Sequence, residues 1–280
     1  MGGVMGLRIN TNVPSLVAQH QLAGRTRDLQ ETSGRLSTGH RITKAKDDAA
    51  GLSISERMRA DLLISQQNIE NAKNGFYLLQ TADGALHEVV DILVRMKELS
   101  MQAANGGTSA RGRALIHTEF KLLREEIFRI AHSTVYNEHQ LLNGDGVQVL
   151  VQVGPNNGGP LDRIQITDPF DVTPDALGIG SLNITEKVGA QDSLEALDDA
   201  ITRVGKIRGS IGAGESRLNS TVNSLMHYKE NITGAYSQIR DADMAVETSN
   251  YAKHKMLTQA GLSILAQANS APEAALRLLS

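Results

Sequence analysis

The positions of the prolines leave two long parts of this sequence free to be helical. Four of the six prolines fall between residues 155 and 174, and the other two are Pro14 and Pro272. Residues 15–154 and 175–271 therefore contain no proline, a residue that is strongly disfavoured inside helices. Only 3% of the residues are aromatic, which is little for the core of a compact enzyme. These features predict a mainly helical, elongated protein with a short, different segment in its middle.

A heptad repeat runs through the second proline-free part. Apolar residues occur at every seventh position, and we expect them to make the packing contacts of a rod: Leu197, Val204, Ile211, Leu218, Leu225 and Ile232. This pattern is typical of a long helix that packs along its whole length. Asp192 and Glu195 form a candidate capping box at its start. From residue 192 to residue 240, such a helix would be about 73 Å long at a rise of about 1.5 Å per residue.

Two more helices are predicted in the first proline-free part. One covers roughly residues 58–104, and Asn105-Gly106-Gly107-Thr108 ends it. The next carries a single apolar stripe, formed by Ile116, Phe120, Leu123, Ile127 and Ile130. Amphipathic helices of this kind bundle side by side and bury their stripes together. An antiparallel helical bundle or coiled coil without any chemistry is the simplest interpretation of these residues.

The middle of the chain shows the alternation of a small β-structure. Apolar and polar residues alternate in Val147-Gln148-Val149, Val151-Gln152-Val153 and Ile164-Gln165-Ile166. Residues 154–160 are rich in Gly, Asn and Pro, which indicates the loop of a β-hairpin. Since the segment is too small to be an independent domain, we expect it to lean on the helical bundle.

Both ends of the chain have narrow apolar seams, and Asp or Glu occurs only four times in residues 241–280. Their candidate contact residues are Leu22, Leu29 and Leu36 at one end and Met256, Ile264 and Leu265 at the other. Because isolated helices are costly to nucleate, such segments either stay disordered or become buried against a partner. We expect them to become ordered on assembly.

Motifs for catalysis or ligand binding are largely missing. The sequence has no cysteine, which excludes disulfides, thiolate metal sites and a cysteine nucleophile. The run from His87 to Asp91 lacks the second histidine of a zinc-protease motif. Gly209, Gly212 and Gly214 lack the strand and the lysine of a phosphate-binding loop, so close helix packing or a local weakness in the rod explains them better. We predict no enzymatic activity, no metal and no cofactor.

A pair of adjacent carboxylates, Asp47 and Asp48, suggests a cation site at first sight. Lys44, Lys46 and Arg57 lie close in sequence and already supply partners for these charges. A structural turn is therefore the better interpretation.

Net charge and hydropathy argue against two classes of partner. A formal charge of −3 and a pI near 6.2 provide no attraction to nucleic acid. No stretch approaches the roughly 18 uncharged apolar residues of a membrane span. The first 12 residues also lack the basic segment and apolar core of a signal peptide. Composition alone leaves open whether the chain stays in the cytoplasm or is exported without disulfide chemistry.

Several motifs resemble those of bacterial flagellins. In the amino-terminal half they are Leu7-Arg8-Ile9-Asn10-Thr11-Asn12, Leu36-Ser37-Thr38-Gly39, Asp47-Asp48-Ala49-Ala50-Gly51-Leu52 and Thr81-Ala82-Asp83-Gly84-Ala85-Leu86. Near the carboxy terminus they are Ile239-Arg240-Asp241-Ala242-Asp243-Met244-Ala245 and Ile264-Leu265-Ala266-Gln267-Ala268-Asn269. The matches cover roughly residues 7–144 and 194–280, and their number and order make the resemblance specific.

The resemblance implies a subunit that polymerises helically into the filament that bacteria rotate for swimming. It implies that the terminal helices pair as a coaxial coiled coil and are disordered in the free subunit. On this basis we assign five parts: residues 1–57 to the N-terminal inner-core helix and its connecting spoke, 58–144 to rod helices, 145–191 to the β-hairpin and a minimal variable region, 192–240 to the C-terminal rod helix, and 241–280 to the C-terminal inner-core helix.

The resemblance also implies partners and a location outside the cell. Export would use the flagellar type III apparatus, with a cytosolic chaperone bound to the C-terminal segment. Subunits would then add beneath a distal cap, in a filament that joins hook–filament junction proteins at its base. Neither nucleic acid nor a membrane is among the expected partners.

A further implied partner is the innate immune receptor TLR-five, which recognises a patch on the rod of many flagellins. The residues that match this patch are Arg95, Glu98, Leu99, Gln102 and Glu119. Lys97 stands where a second arginine is usual, and loss of the guanidinium fork would weaken binding.

Three other classes of protein could share part of these sequence features. A hook–filament junction protein would share the terminal helices, but the intact segments 47–52 and 265–269 favour flagellin. A flagellin-embedded protease would need a metal motif in the middle of the chain, where the sequence has none. A cytoplasmic bundle scaffold would be excluded by finding the protein in extracellular filaments.

Overall fold

The protein is mainly helical, as the sequence predicts. The computed structural model describes residues 11–145, 149–166 and 170–279, with side chains as far as residue 270. This part of the chain contains five α-helices: α1 (Val13–Thr38), α2 (Ala49–Ala104), α3 (Ala110–Ser133), α4 (Lys187–Arg240) and α5 (Met244–Leu279). It also contains four short strands: β1 (Val135–Tyr136), β2 (His139–Gln140), β3 (Leu150–Gln152) and β4 (Arg163–Gln165), with a 3₁₀ helix at Gly159–Leu161.

The chain forms two compact units. Residues 1–60 and 232–280 make one, which we call the terminal unit, and residues 61–231 make the other, the central unit. The sequence-based assignment instead places its boundaries after residues 57 and 240. In the described ranges, no helix combines the length and apolarity that crossing a membrane requires.

Side-chain caps mark the starts of the first three helices, and a glycine marks the end of α1. Asn12 caps α1 by accepting a hydrogen bond from the amide of Ser15 at 3.1 Å, and Gly39 ends that helix in the left-handed conformation. Asp48 accepts from the amide of Gly51 at 2.8 Å at the start of α2. Ser109 does the same for α3, accepting from the amide of Gly112 at 3.1 Å.

Two predicted helix starts were wrong, while the predicted break was confirmed. Helix α4 begins at Lys187, so Asp192 and Glu195 lie inside it and form no capping box. Helix α2 begins at Ala49, nine residues before the predicted start at 58, because Asp48 caps it there. The interruption at residues 105–108 lies between α2 and α3 as expected.

The predicted β-hairpin is present in the middle of the chain. Strands β3 and β4 pair antiparallel, with Leu150 opposite Gln165 and Val151 opposite Ile164. Of the predicted segment 147–149, residues 147 and 148 lie outside the described residues.

A second, smaller hairpin was not predicted. Strands β1 and β2 pair antiparallel through a two-residue turn at Asn137 and Glu138. Both residues have positive φ values, 48° and 69°, as a type I′ turn requires. The glycine that usually marks such a turn is missing, so its sequence gives little warning.

The hydrophobic core of buried side chains lies in the central unit. Leu86 and Leu93 of α2, Phe120 of α3 and Val204 of α4 are all fully buried members of it. The β3–β4 hairpin packs on the same core at Gly75, where an added Cβ would lie only 2.6 Å from a methyl carbon of Ile166. Glycine at this position lets the hairpin lie directly on α2.

Within the central unit, α2 and α4 are also joined by a paired-charge contact. The guanidinium of Arg208 donates to both carboxylate oxygens of Asp83, at 2.8 and 3.2 Å. This bidentate pair raises the pKa of Arg208 above its usual value, chiefly through the hydrogen bond to Asp83.

Replacing a core leucine should destabilise the monomer far more than replacing an exposed one. Leu86→Ala should lower the free energy of unfolding by about 2–5 kcal/mol, because it removes buried methyl groups and leaves a cavity. Leu122→Ala is the matched control: Leu122 is 61% exposed, and its loss should cost less than about 0.5 kcal/mol. Urea unfolding followed by far-UV circular dichroism measures both, and equal losses would contradict this account of the core.

Candidate assembly interface

The terminal unit is built on an antiparallel pair of helices, α1 and α5. At one end of the pair, the side-chain amide of Asn12 donates to the backbone carbonyl oxygen of Ala268 at 2.8 Å. Next to it, the Ser15 hydroxyl donates to the side-chain oxygen of Asn269 at 2.7 Å. Because these polar contacts are directional, they fix which residues of the two helices lie opposite one another.

Charged residues continue the same alignment toward the other end of the pair. The Arg35 guanidinium donates to one carboxylate oxygen of Glu247 at 3.2 Å. Between the two ends, Nδ1 of His254 lies 4.0 Å from a carboxylate oxygen of Asp28. Glu247 is buried, and its second carboxylate oxygen has no hydrogen-bond partner among the described residues.

The seam between α1 and α5 buries little apolar surface. Leu22, Leu29 and Leu36 of α1 and Leu265 of α5 are only half-buried. Gly261 permits the closest approach, since a Cβ there would lie 3.2 Å from Leu22. Up to residue 270, the buried residues of these two helices are all polar: Ser15, Thr32 and Glu247.

Large apolar side chains instead lie on the exposed surface of the pair. They are between 36% and 64% exposed: Val13, Leu16 and Val17 on α1, and Met244, Val246, Met256, Leu257, Leu262 and Ile264 on α5. Two of the predicted contact residues, Met256 and Ile264, therefore do not pack in the seam. We call this set the exposed apolar surface.

Four residues of the exposed apolar surface line a groove between α1 and α5: Val13, Val17, Leu257 and Ile264. It has a volume of about 480 Å³ and is lined mainly by apolar residues of both helices, including Val17, Leu22, Leu257 and Ile264. Exposed apolar side chains grouped around a groove are typical of sites where another molecule binds.

The connection between α1 and α2 is hydrogen-bonded to the segment where α4 ends and α5 begins. The amide of Arg41 donates to the carbonyl of Arg240 at 2.7 Å, and the amide of Ala242 donates to the carbonyl of Gly39 at 2.9 Å. Ile42, which belongs to this connection, is only 1% exposed. The start of α5 is thereby fixed next to the end of α1.

Asp47 forms a structural turn in this connection, as the sequence suggests. One carboxylate oxygen accepts from the amides of Thr43 and Lys44, at 3.1 and 3.0 Å, and from the Thr43 hydroxyl at 3.0 Å. These bonds, led by the one from the Lys44 backbone, hold the pKa of Asp47 below its usual value. In the described part of the molecule, no group of histidine and carboxylate side chains is arranged to hold a metal ion.

The residues predicted to pack along the rod occupy different environments. Leu197, Val204, Ile211 and Leu218 are fully buried in the central unit. Leu225 and Ile232 are half-buried. Among the three glycines of α4 singled out in the sequence, Gly214 makes a close approach, with a Cβ position 3.0 Å from Leu79.

Four of the five residues of the predicted receptor patch lie on the surface of the central unit. The Arg95 guanidinium donates to Glu119 at 2.9 and 3.1 Å and to Glu98 at 2.9 Å, and Gln102 is exposed nearby in α2. Leu99 differs from that prediction, because it is 2% exposed and belongs to the core. It supports the patch from below and offers no accessible contact surface.

Sequence reasoning missed the polar seam on α5. The half-buried residues of α5 include Tyr251, His254, Thr258 and Gly261, which are polar or small, and His254 and Gly261 approach α1 at Asp28 and Leu22. They do recur at intervals of three and four, so a heptad search that accepts polar residues would find them. A search for apolar residues alone selects Met256 and Ile264 instead.

Comparison with known proteins shows that two family models together match most of this chain. Residues 9–146 match the family model of the bacterial flagellin N-terminal helical region, and residues 194–279 match that of the C-terminal helical region. The flagellin of Halalkalibacterium halodurans is 38% identical over 271 residues, which cover 97% of this chain and 99% of that protein. The flagellin of Bacillus subtilis is 35% identical over 307 residues, covering 98% and 100%.

Two solved structures of flagellar proteins resemble this chain in fold. The crystal structure of Bacillus cereus flagellin matches with a TM-score of 0.50 and 27% identity, covering 56% of this chain and 88% of that chain. A putative flagellar hook-associated protein from Vibrio parahaemolyticus has the same fold, with a TM-score of 0.57 and 18% identity over 70% of this chain and all of that one.

The hydrogen bonds that Asp47 accepts in this turn should weaken in acid. The pKa of Asp47 is lowered in the folded chain, so its stabilising contribution is complete above its ordinary value of 3.8 and is lost as the pH falls through the lower, folded value. We expect the protection of the Thr43 and Lys44 amides against hydrogen exchange to fall in that range. Asp47→Asn should reduce this protection already at neutral pH.

Glu88→Gln is the control for this experiment. Glu88 is exposed on α2 and has no ion-pair or hydrogen-bond partner among the described residues. Protection at Thr43 and Lys44 that is insensitive to Asp47→Asn would mean that the carboxylate does not hold the turn.

Proposed function

The chain belongs to the bacterial flagellin family and is a structural subunit of the extracellular flagellar filament, and from this premise we propose that its terminal helices reach full stability only when subunits assemble. Its relatives are filament proteins and not enzymes. The observation that carries the proposal is the difference in apolar burial between the two units. The central unit has its own core, whereas α1 and α5 bury polar residues and leave large apolar ones exposed.

The energetics of this difference favour folding that is coupled to assembly. Ordering one residue costs about 1–2 kcal/mol of backbone entropy, and a pair of long helices must offset this for each of its residues. The half-buried seam of α1 and α5 provides little apolar burial in return. Burying a side chain such as Ile264 or Met256 against a neighbouring subunit would contribute about 1.5–3 kcal/mol.

The exposed apolar surface is the part of the terminal unit that we assign to contacts between subunits. In this assignment Met256, Leu257 and Ile264 of one copy dock on the terminal unit of the next, and the groove beside Leu22 receives part of the contact. A surface that binds a different surface on the next copy extends as an open helix and does not close a dimer. Such contacts suit a helical filament.

The same surface gives a physical reason for the partners that we propose along the export route. The exposed apolar side chains of α5 have to be shielded from solvent before assembly. A cytosolic export chaperone bound to the C-terminal segment would shield them. We further propose export through the flagellar type III apparatus, addition beneath a distal cap and contact with hook–filament junction proteins. The shared fold of the hook-associated protein supports the last of these.

Removing apolar side chains from this surface should impair assembly without unfolding the subunit. The double variant Met256→Ser with Ile264→Ser should raise the monomer concentration that remains after seeded polymerisation by about tenfold or more, because apolar burial between subunits is lost. Leu161→Ser is the control, since Leu161 is 91% exposed and lies in the loop between β3 and β4. Sedimentation of the polymer measures the remaining monomer.

Hydrogen exchange tests the coupling itself. The amides of α1 and α5 should exchange much faster in monomers than in filaments, while those of the central core should exchange at similar rates in both. Equal protection of α1 and α5 in monomers and filaments would refute the proposal.

We also propose recognition of the central unit by the receptor TLR-five. Arg95, Glu98 and Glu119 form a charged cluster that is about half exposed and held in place by the forked hydrogen bonds of the arginine. Lys97 is occupied by an ion pair with Asp198, so it adds little to this cluster. Charged residues on a rigid helical surface are suited to specific recognition by a partner.

A receptor reporter assay on purified monomers tests this second proposal. Arg95→Ala should lower the response by at least about tenfold, because it removes an arginine contact and releases two carboxylates. Arg129→Ala is the matched control: it also removes an exposed arginine paired with a carboxylate, Glu126, on the same unit. If both variants signal like the parent, the patch is not the site of recognition.

A further inference from the structure

A cationic cleft lies where α1 meets the connection to α2. It has a volume of about 250 Å³, and its charged lining consists of four cations and two carboxylates: Arg27, Arg35, Lys44, Lys46, Glu31 and Asp47. The cleft therefore carries an excess of two positive charges. An unbalanced cleft of this kind attracts an anionic group from outside.

Both carboxylates of the cleft are already used by neighbouring groups. Glu31 forms an ion pair with Lys46, whose hydrogen bond and charge lower the pKa of Glu31. Asp47 accepts hydrogen bonds from the turn that begins at Thr43. Neither carboxylate remains to neutralise the other cations.

Two of the cations have no partner in the described chain. Arg27 and Lys44 make no side-chain hydrogen bond or ion pair with any described residue. Arg35 uses one guanidinium nitrogen for Glu247 and has others left to donate. Up to three cationic side chains can therefore contact one anionic surface.

A stripe of unpaired carboxylates on α4 matches this cleft. Asp192, Glu195 and Asp199 lie at positions i, i+3 and i+7 of the helix, so they share one face, and all three are exposed. None has an ion-pair partner among the described residues, whereas the adjacent Asp198 is paired with Lys97. We call these three residues the acidic stripe.

The lengths of the two surfaces agree. Seven residues separate the ends of the acidic stripe, a rise of about 10.5 Å along α4. Eight residues separate Arg27 from Arg35, a rise of about 12 Å along α1. Two helices lying side by side could therefore bring each end of the stripe close to a cation.

We propose that the cationic cleft of one copy binds the acidic stripe of a second copy. The inference rests on the proposed assembly function, and it identifies a charged contact between subunits in addition to the apolar one. Charge pairs at the edge of an interface steer association and fix its register. They would align neighbouring subunits while apolar burial stabilises the contact.

Charge reversal and charge exchange test the contact in full-length protein. Arg27→Glu with Lys44→Glu should raise the monomer concentration left after seeded polymerisation by about tenfold, because like charges then face each other. Asp192→Lys, Glu195→Lys and Asp199→Lys together should have a similar effect. Combining all five substitutions should lower the remaining monomer concentration at least about threefold below that of either partial variant, since the pairs with residues 27 and 44 are re-formed with opposite sign while Arg35 keeps its charge.

Control variants separate this contact from changes in net charge or folding. Lys206→Glu with Arg217→Glu makes the same charge change at two exposed residues of α4 and should leave polymerisation unchanged. Arg27→Gln with Lys44→Gln should show the same defect in weaker form. Circular dichroism of each variant confirms that the helices remain folded.

The outcomes are distinct. The proposal would be overturned if the Arg27→Glu, Lys44→Glu variant polymerised like the parent. It would equally be overturned if both partial variants were impaired and the variant with all five substitutions did not recover. It would also be overturned if the lysine variant polymerised normally while inorganic phosphate bound the parent and not the Arg27→Glu, Lys44→Glu variant, because the cleft would then be a site for a small free anion. Coupled folding is tested separately by hydrogen exchange, so either proposal can fail alone.

Discussion

The burial of one apolar stripe of α2 against α3 and α4 supports the rest of the central unit. Leu79, Leu86 and Leu93 recur at intervals of seven and are completely buried. Each fully buried side chain of this kind contributes about 1.5–3 kcal/mol. The stripe shares one core with side chains of α3, of α4 and of the β3–β4 hairpin, such as Val151 and Ile164.

The terminal unit follows a different principle. Its helices are aligned by polar contacts, such as Ser15 with Asn269 and Arg35 with Glu247, which are selective but provide little net stability. Burial of Glu247 with one oxygen lacking a described partner makes the pair less favourable still. Such contacts define the register of the pair and contribute little net stability, which agrees with our proposal that a neighbouring subunit completes it.

The sequence predicts the central unit better than the terminal one, for a physical reason. In the central unit the apolar residues pack within the chain, so the heptad from Leu197 to Leu218 coincides with the buried stripe of α4. On α5 the apolar residues lie on the outside, and a search for apolar periodicity finds the exposed surface at Met256 and not the seam at His254. The start of α4 and the Asn137–Glu138 turn escaped prediction because each depends on local backbone geometry with a weak sequence signal.

The closure of the loop between β3 and β4 bears on how the chain can change in length. The amides of Val153 and Gly154 both donate to the carbonyl of Asp162, and the side chain of Asp162 accepts from the amide of Gly158. The chain therefore leaves and re-enters the fold at adjacent points. A peptide inserted after Asn156 would close one longer loop, whose entropic cost rises only with the logarithm of its length. Whole domains could be gained or lost at this position while the helices beneath keep their packing.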